Sequence, residues 1–448
     1  MRKTIYIAVF SLLQLSTSAQ ILSLDSCKML ALANNKKQKE AALEQEAALQ
    51  VKKNAFTKYF PKIEASGVAM KTTKPLLELD IPAMNLPVYN GNPAALPSAT
   101  EFAYFPGMNL EILDYTNAAF VTAIQPVFAG GRIYFGNQLA QLGVEVSVLK
   151  ASLTQDEILL DTEYFFWSII SLQEKRKTLA SYHEMLFQLE KEARSAEASG
   201  LIQKSDLLKV QLEQNKLKAN ELKINNGIDL LSMSLAQHIG IPYSDSLIFS
   251  APLMSASNEL NLVNTSDAIQ HRGEYQMLQK AVDTELLQKR MTRGALLPQV
   301  AIGVQGLYLD VLEQQNTYGL AFATLSIPIS DWWGGAHEIK EQQIKIELAQ
   351  NKLEETSELL ELQIEKAYKD LMESWEQILV SEKSSEQANE HFRVMQDNHQ
   401  AGLVKTSDLL EARALMQEST NALWDAKTNF QIIKAQYLKA IAELRANY

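Results

Sequence analysis

One cysteine, Cys27, is the only thiol in this 448-residue chain, so no intramolecular disulfide staples it. Glycine and proline are scarce too: 18 and 12 residues, about 4% and 3% of the chain against the ~7% and ~5% of average proteins. A chain that avoids helix breakers this far devotes its length to helices. Positive charge is in deficit, with 42 Lys and Arg against 53 Asp and Glu. The formal net charge of -11 argues against a phosphate-neutralising surface and so against nucleic acid as a partner. Beyond the N-terminus no apolar run approaches the ~18 residues a membrane helix needs. If the chain spans a membrane, it does so with strands.

The six histidines (His183, His238, His271, His337, His391, His399) form no His-x-x-x-His or Cys-rich ligand spacing. His391 and His399 are eight apart, which more often means two exposed residues than a metal pair. With no phosphate loop and no nucleophile elbow either, the chain reads as a non-enzyme that needs no cofactor. At the start, Met1-Arg2-Lys3, the apolar stretch Ile5 to Leu15 and the small residues Thr17-Ser18-Ala19 predict a secretory signal over 1–19, cut after Ala19. Leu24-Asp25-Ser26-Cys27 is a poor lipoprotein box, lying well past the apolar core and carrying Asp inside it. Cys27 is expected to be a small buried residue of a first helical turn.

Placed along the chain, the breakers become a map. Ala336 to Ala401 and Leu403 to Tyr448 contain neither proline nor glycine, Arg132 to Ser199 contains only Gly136 and Gly143, and Leu201 to Ile239 only Gly227. Windows of about 65 residues at 1.5 Å each reach roughly 100 Å, beyond any compact domain. Ile158, Phe165, Leu172, Leu179 and Leu186 recur every seven residues. Leu360, Ile364, Ala367, Leu371, Ser374 and Ile378 step by four and three like a coiled-coil seam. A second stripe, Tyr368, Met372, Trp375 and Leu379, lies about 100° round the same helix, marking either neighbours on two sides or one wide apolar face.

Self-similarity organises the rest. Gly200-Leu201 through Ser205-Asp206-Leu207-Leu208 recurs 202 residues later as Gly402-Leu403 through Ser407-Asp408-Leu409-Leu410. Pro126 pairs with Pro328 at the same offset, each followed by a double glycine, and Pro61-Lys62-Ile63 matches Pro298-Gln299-Val300. The fold class is therefore mainly α with a small β part, in two repeats of helix-strand-strand-helix-helix. The first repeat, 20–264, has helix 25–60, strands 61–70 and 119–128, outer loop 71–117, long helix 132–199, helix 201–239 and an equatorial segment 240–264. The second, 265–448, has helix 265–296, strands 298–309 and 320–329, long helix 335–401 and helix 404–446. Helices 201–239 and 265–296 together approach the length of the long helix and are expected to stack end to end, as are the C-terminal helix and the first.

Each strand is near the 9 to 11 residues that cross a bilayer at a tilt. Glu64, Ser66, Thr122, Gln125, Gln299, Gln305, Thr324 and Ser326 interrupt them, as lipid on one side and a wet lumen on the other require. Tyr59, Phe60, Phe128, Trp332 and Trp333 gather at one end of the strand layer, the pattern of a membrane-interface girdle. Four strands cannot close a barrel, and open edges are not tolerated in lipid, so several chains must combine.

With its order and duplication of turns and prolines, the chain resembles the outer membrane efflux protein family, the TolC-like channels. The resemblance spans essentially the whole mature chain, from Leu22-Ser23-Leu24-Asp25-Ser26-Cys27 to the Gly-Leu-x-x-x-Ser-Asp-Leu-Leu turns. It implies a homotrimer with four strands per chain in a twelve-stranded outer membrane β-barrel on a long periplasmic α-helical barrel. It also implies a periplasmic adaptor and an inner-membrane pump of the RND or ABC class as partners, outer membrane lipid as surroundings, and a Gram-negative outer membrane location. The function implied is the exit duct of a tripartite efflux or type I secretion system; the alternative is a periplasmic adaptor with a helical hairpin. Asp408 and Glu411, with Asp206 as the counterpart in the first repeat, match the family's ring of carboxylates at the periplasmic aperture. Against this, an Asp in a first helical turn is favoured by capping and the helix dipole alone. Val404 stands where some members place an arginine that ties the mouth closed, with Lys405 beside it. Gly200 and Gly402 are the left-handed residues of the hairpin tips.

Overall fold

A computed structural model describes residues 20–74, 77–89, 91–112, 115–251, 263–311 and 314–446. The expected signal at 1–19 lies outside the described residues, as do positions 252–262 of the equatorial segment. In chain order the elements are β1 (Gln20–Leu22), α1 (Leu24–Asn34), α2 (Lys36–Thr57), β2 (Lys62–Lys71), β3 (Leu77–Ile81), β4 (Met84–Pro87), a 3-10 turn (Pro93–Ser98), β5 (Phe102–Phe105), β6 (Met108–Ile112) and β7 (Tyr115–Phe128). Then come α3 (Arg132–Ala198), α4 (Lys204–His238), β8 (Leu247–Phe249), α5 (Thr265–His271), α6 (Gly273–Ala295), β9 (Gln299–Val311), β10 (Gln314–Ser326), α7 (Trp332–Gln400) and α8 (Thr406–Ala440). Among the described residues no helix is long and apolar enough to cross a membrane.

The chain folds into two compact units that cut across the expected sequential division. A helical unit draws on Met1–Leu49, Gly143–Val282 and Leu348–Tyr448, and a sheet unit on Gln50–Leu142 and Asp283–Glu347.

In the helical unit the heptad stripes are buried seams. Ile158, Leu186, Ile364, Leu371 and Ile378 are almost wholly inaccessible. The second stripe of α7 is its flank: Tyr368 packs on Tyr437 with ring centroids 5.8 Å apart, Trp375 on Phe430 at 5.6 Å, and Leu379 stays exposed. Cys27 is fully buried among Leu22, Ala31, Phe166 and Ile239. Burial pushes its thiol up to about 12.

Two single helices expected from the breaker map are each divided. Asn35 takes an extended ψ of 138° between α1 and α2, and Arg272 a ψ of 131° between α5 and α6. Neither site holds a proline or ends on a left-handed residue; tertiary hydrogen bonds hold the break. The Asn35 Oδ1 accepts the Lys37 N–H at 2.8 Å, while its Nδ2 donates to the His238 carbonyl at 2.9 Å. Arg272 spans both Glu274 oxygens and donates to Gln363 Oε1 at 2.8 Å. These contacts also correct the expected stacking. The end of α4 meets the α1–α2 joint, with Gly240 against Asn34, and the end of α8 shares a cleft with Arg272 and Glu274. Thus α2 associates with α4, and α6 with α8.

In the sheet unit four antiparallel strands are ordered β10-β9-β7-β2, leaving β10 and β2 as edges. The strands depart from the expected spans. Residues 310–319 are not a connection, because β9 and β10 continue to Val311 and from Gln314 in one long hairpin. β10 then stops at Ser326 rather than 329, before Pro328, which has no N–H to give a ladder. β7 begins at Tyr115, inside the expected outer loop, and that loop is itself paired: β3 with β6 and β4 with β5. Trp332 and Trp333 open α7 instead of preceding it.

Candidate functional site

The two hairpin tips of the helical unit are built alike. α3 ends on Gly200 at φ 71°, and the Leu201 N–H returns to the Ala196 carbonyl at 2.8 Å; α7 ends on Gly402 at φ 73°, and Leu403 returns to Asn398 at 2.8 Å. A Cβ on either glycine would meet nothing within 4 Å, so the demand is for the left-handed dihedral alone. Leu201 and Leu403 point into solvent, 78% and 74% exposed.

Beyond the tips, Leu207, Leu409 and Leu410 join one buried cluster, which brings the first turns of α4 and α8 together. Asp206 is paired with Lys209 at 3.3 Å. Asp408 closes its own helix start, accepting the Lys405 N–H at 3.4 Å and the Ser407 hydroxyl at 3.1 Å. Glu411 is exposed and lines a groove between α8 and α4 with Lys209, Glu213 and Lys216.

Sequence reasoning missed Arg413, which is only 4% exposed. Its guanidinium donates to the Ser181 hydroxyl at 2.9 Å and lies over the rings of Tyr182 and Phe392, at 5.1 and 5.4 Å. Burial lowers its pKa, and burial together with the Glu213 charge pushes the Tyr182 phenol up to about 12. The available signal was spacing: Arg413 follows Leu409 by four and Leu410 by three, which places it on the packed stripe. From there α3 and α8 meet through polar side chains. Gln417 donates to Thr178 at 2.7 Å, Lys175 to Asp425 at 2.7 Å and Ser171 to Asp425 at 2.8 Å. A buried ion pair, Lys28 with Glu163 at 2.6 Å, is completed by the Trp167 indole donating to the second oxygen.

In the sheet unit the register sorts the strand residues by face. Glu64 opposes Thr122, Thr122 opposes Gln305, and Gln299 opposes Ser326. With side chains alternating, Ser66 and Thr324 fall on that face too. Gln305 donates to the Thr122 hydroxyl at 2.9 Å. The other face carries Ile63, Val121, Ile302, Val304, Ala323 and Leu325; of the eight polar residues expected to interrupt the strands Gln125 lies there, next to the irregular pairing at Pro126 and Phe128, and towards the end of the β9–β10 hairpin the same face holds Asn117, Asp310, Gln315 and Thr317. Tyr59, Phe60, Phe128, Trp332 and Trp333 are all exposed and flank the helix-side end of this sheet. Phe56 packs edge-on against Tyr59 and Phe60 at 5.7 and 5.6 Å, and the Trp332 indole donates to the Leu296 carbonyl at 2.8 Å. Among the described residues no His, Cys, Asp and Glu cluster fits a metal ion.

Residues 264–443 match the family model of the outer membrane efflux protein. Among solved structures, the outer-membrane channel OprN aligns over 94% of this chain and 90% of its own, at TM-score 0.75 and 11% identity. The Campylobacter jejuni CmeC outer membrane channel aligns over 94% and 86%, at 0.74 and 13%. The outer membrane protein VceC from Vibrio cholerae aligns over 93% and 95%, at 0.72 and 12%. The fold is that of the TolC-like outer membrane channels. No curated protein matches the sequence significantly. Within the TolC-like fold the family match takes in α5 to α8 and the β9–β10 hairpin, and the adaptor alternative finds no support in these likenesses.

Proposed function

We propose that the chain is one third of a trimeric exit duct in the outer membrane of a Gram-negative bacterium. It serves a tripartite efflux or type I secretion system, passing small molecules or proteins from an inner-membrane pump, through a periplasmic adaptor, to the exterior. The observation that carries this reading is the four-stranded sheet, with Glu64, Thr122 and Gln305 on one face, Ile63, Val121 and Val304 in an apolar band on the other, and an edge strand open on its outer side at each end. In lipid both edges must be paired, and three copies joined β10 to β2 make a closed ring of strands with its apolar face outward. The exposed aromatics at the helix-side end then lie at the periplasmic interface of the bilayer. The chain acts by conduction and not by catalysis.

The hairpin tips form the periplasmic mouth. Leu201 and Leu403 are exposed apolar contacts there for an adaptor. Asp408, Glu411 and Asp206 line the aperture as an acidic constriction in three copies. Asp408 and Asp206 also hold local bonds, so the exposed Glu411 carries most of the cation preference.

The protein in mild detergent is expected to have a trimeric mass and to form channels in planar bilayers. Asp408→Asn with Glu411→Gln is expected to move the reversal potential in a salt gradient toward zero. A monomeric mass removes the duct reading; an unchanged reversal potential removes the carboxylates from the aperture.

A further inference from the structure

Tyr182, beneath the Arg413 guanidinium, is only 5% exposed, yet among the described residues its phenol oxygen has no hydrogen-bond partner. A buried hydroxyl left unpaired costs stability. A second orphan belongs to α8: the Gln417 Oε1, also buried and without a partner among the described residues. Its amide is held in that orientation, because Nε2 donates to the Thr178 hydroxyl at 2.7 Å and to Asn421 Oδ1 at 3.2 Å, and turning it would set two acceptors against each other. Tyr182 and Gln417 line one cleft between α3, α4 and α8, within the helical unit. Its volume of about 450 Å³ is that of a small-molecule site. Glu213 lines the cleft too, and its charge bears on the phenol, so the hydroxyl end of Tyr182 faces into it.

We propose that this cleft is a binding site for a primary alkylammonium ion. Its lining selects that chemistry. The Gln417 oxygen can only accept a hydrogen bond and a phenol oxygen accepts as well, so the ligand is an N–H donor. Lys216 answers the Glu213 charge at 2.6 Å and Lys175 that of Asp425 at 2.7 Å, which leaves the exposed Glu418 as the net charge of the rim. The donor is therefore a cation, since an anion would meet both the Gln417 acceptor and the Glu418 carboxylate. Leu179 and Leu217, 6% and 4% exposed, give the cleft an apolar wall on which a methylene chain packs. With three N–H groups, one ammonium supplies both orphans. Asp206, Asp408 and Glu411 do not line this cleft, so the site stands whether or not the chain forms a duct.

Isothermal titration calorimetry on the full-length protein in mild detergent tests the site with two probes. Butylammonium is expected to bind, and butyltrimethylammonium, with the same charge and stem but no N–H, about tenfold more weakly. Tyr182→Phe keeps the ring under Arg413 and removes only the hydroxyl; it is expected to weaken butylammonium about tenfold. Glu418→Gln changes an exposed residue outside the core and is expected to weaken it about threefold. Equal affinity for the two probes means attraction to an acidic surface alone and overturns the site. Butylammonium binding that Tyr182→Phe leaves unchanged overturns it as well, as does the absence of binding. If Tyr182→Phe does not fold, unchanged binding in Glu418→Gln overturns it without that variant.

Discussion

Four helix ends in the helical unit share one backbone device, and three of them have glycine at the left-handed position. Gly200, Gly240 and Gly402 have φ near +72°, and the fourth, 202 residues after Gly240, is Ala442 at φ 62°. Its neighbours close the same pair of bonds: Glu443 N–H to Leu438 at 2.8 Å and Ala442 N–H to Lys439 at 3.0 Å. An L-residue in this conformation is strained by about 1 kcal/mol. Ala442→Gly is therefore expected to raise stability by about 1 kcal/mol, read as a higher urea midpoint with an unchanged slope. Gly240→Ala is expected to cost more than that gain, because its Cβ would lie 2.5 Å from the Asn34 Cβ in addition to the dihedral strain. Residues of this kind are legible in sequence when the requirement is local. Gly200 and Gly402 were found from the turn motif, whereas Arg413 was not, because its burial is set by Tyr182 and Phe392 on other helices.

Helices were legible as elements because absence of proline and glycine is a statement about the chain's own backbone. Their internal breaks were not, since Asn35 and Arg272 are unremarkable in a helical window and each break is held in part by a partner more than 90 residues away in sequence, His238 and Gln363. The two joints differ in chemistry, which gives them different responses to acid. The α1–α2 joint is held by the amides of Asn34 and Asn35, the α5–α6 joint by Arg272 and Glu274. Burial alone would raise the Glu274 pKa, but the Arg272 hydrogen bonds and charge outweigh it and hold the carboxyl below its ordinary value. A depressed folded-state pKa stabilises the fold above the unfolded value of about 4.3 and loses that contribution as pH falls through the folded value. Glu274→Gln should therefore lower stability at neutral pH and flatten the acid limb of the stability profile. An acid limb as steep as that of the parent protein would show that Glu274 contributes nothing to it.

At the scale of the molecule the proposed duct sets the two units in different solvents. The sheet unit was legible in outline, since prolines and alternating polarity marked four strands, but not β3 to β6, whose prolines read as a loop until the register paired them. In that duct its strands hold their backbone bonds in lipid, where breaking them leaves N–H and C=O groups with no water to turn to. The helical unit of that duct stands in water, and its α3–α8 seam carries the polar contacts of Thr178, Gln417, Lys175 and Asp425 beside buried clusters that hold Leu159 with Phe430 and Leu179 with Leu410. Urea solvates such a seam directly, so the helical unit is expected to unfold first. The five tryptophans separate the signals: Trp167, Trp375 and Trp424 lie in the helical unit, Trp332 and Trp333 in the sheet unit. In protein reconstituted in lipid, a variant keeping only the first three should lose its folded emission, with the helical circular dichroism, at lower urea than a variant keeping only Trp332 and Trp333. One coincident transition in both variants would mean that the long helices α3 and α7 bind the units into a single cooperative structure, and the independent melting argued here would be wrong.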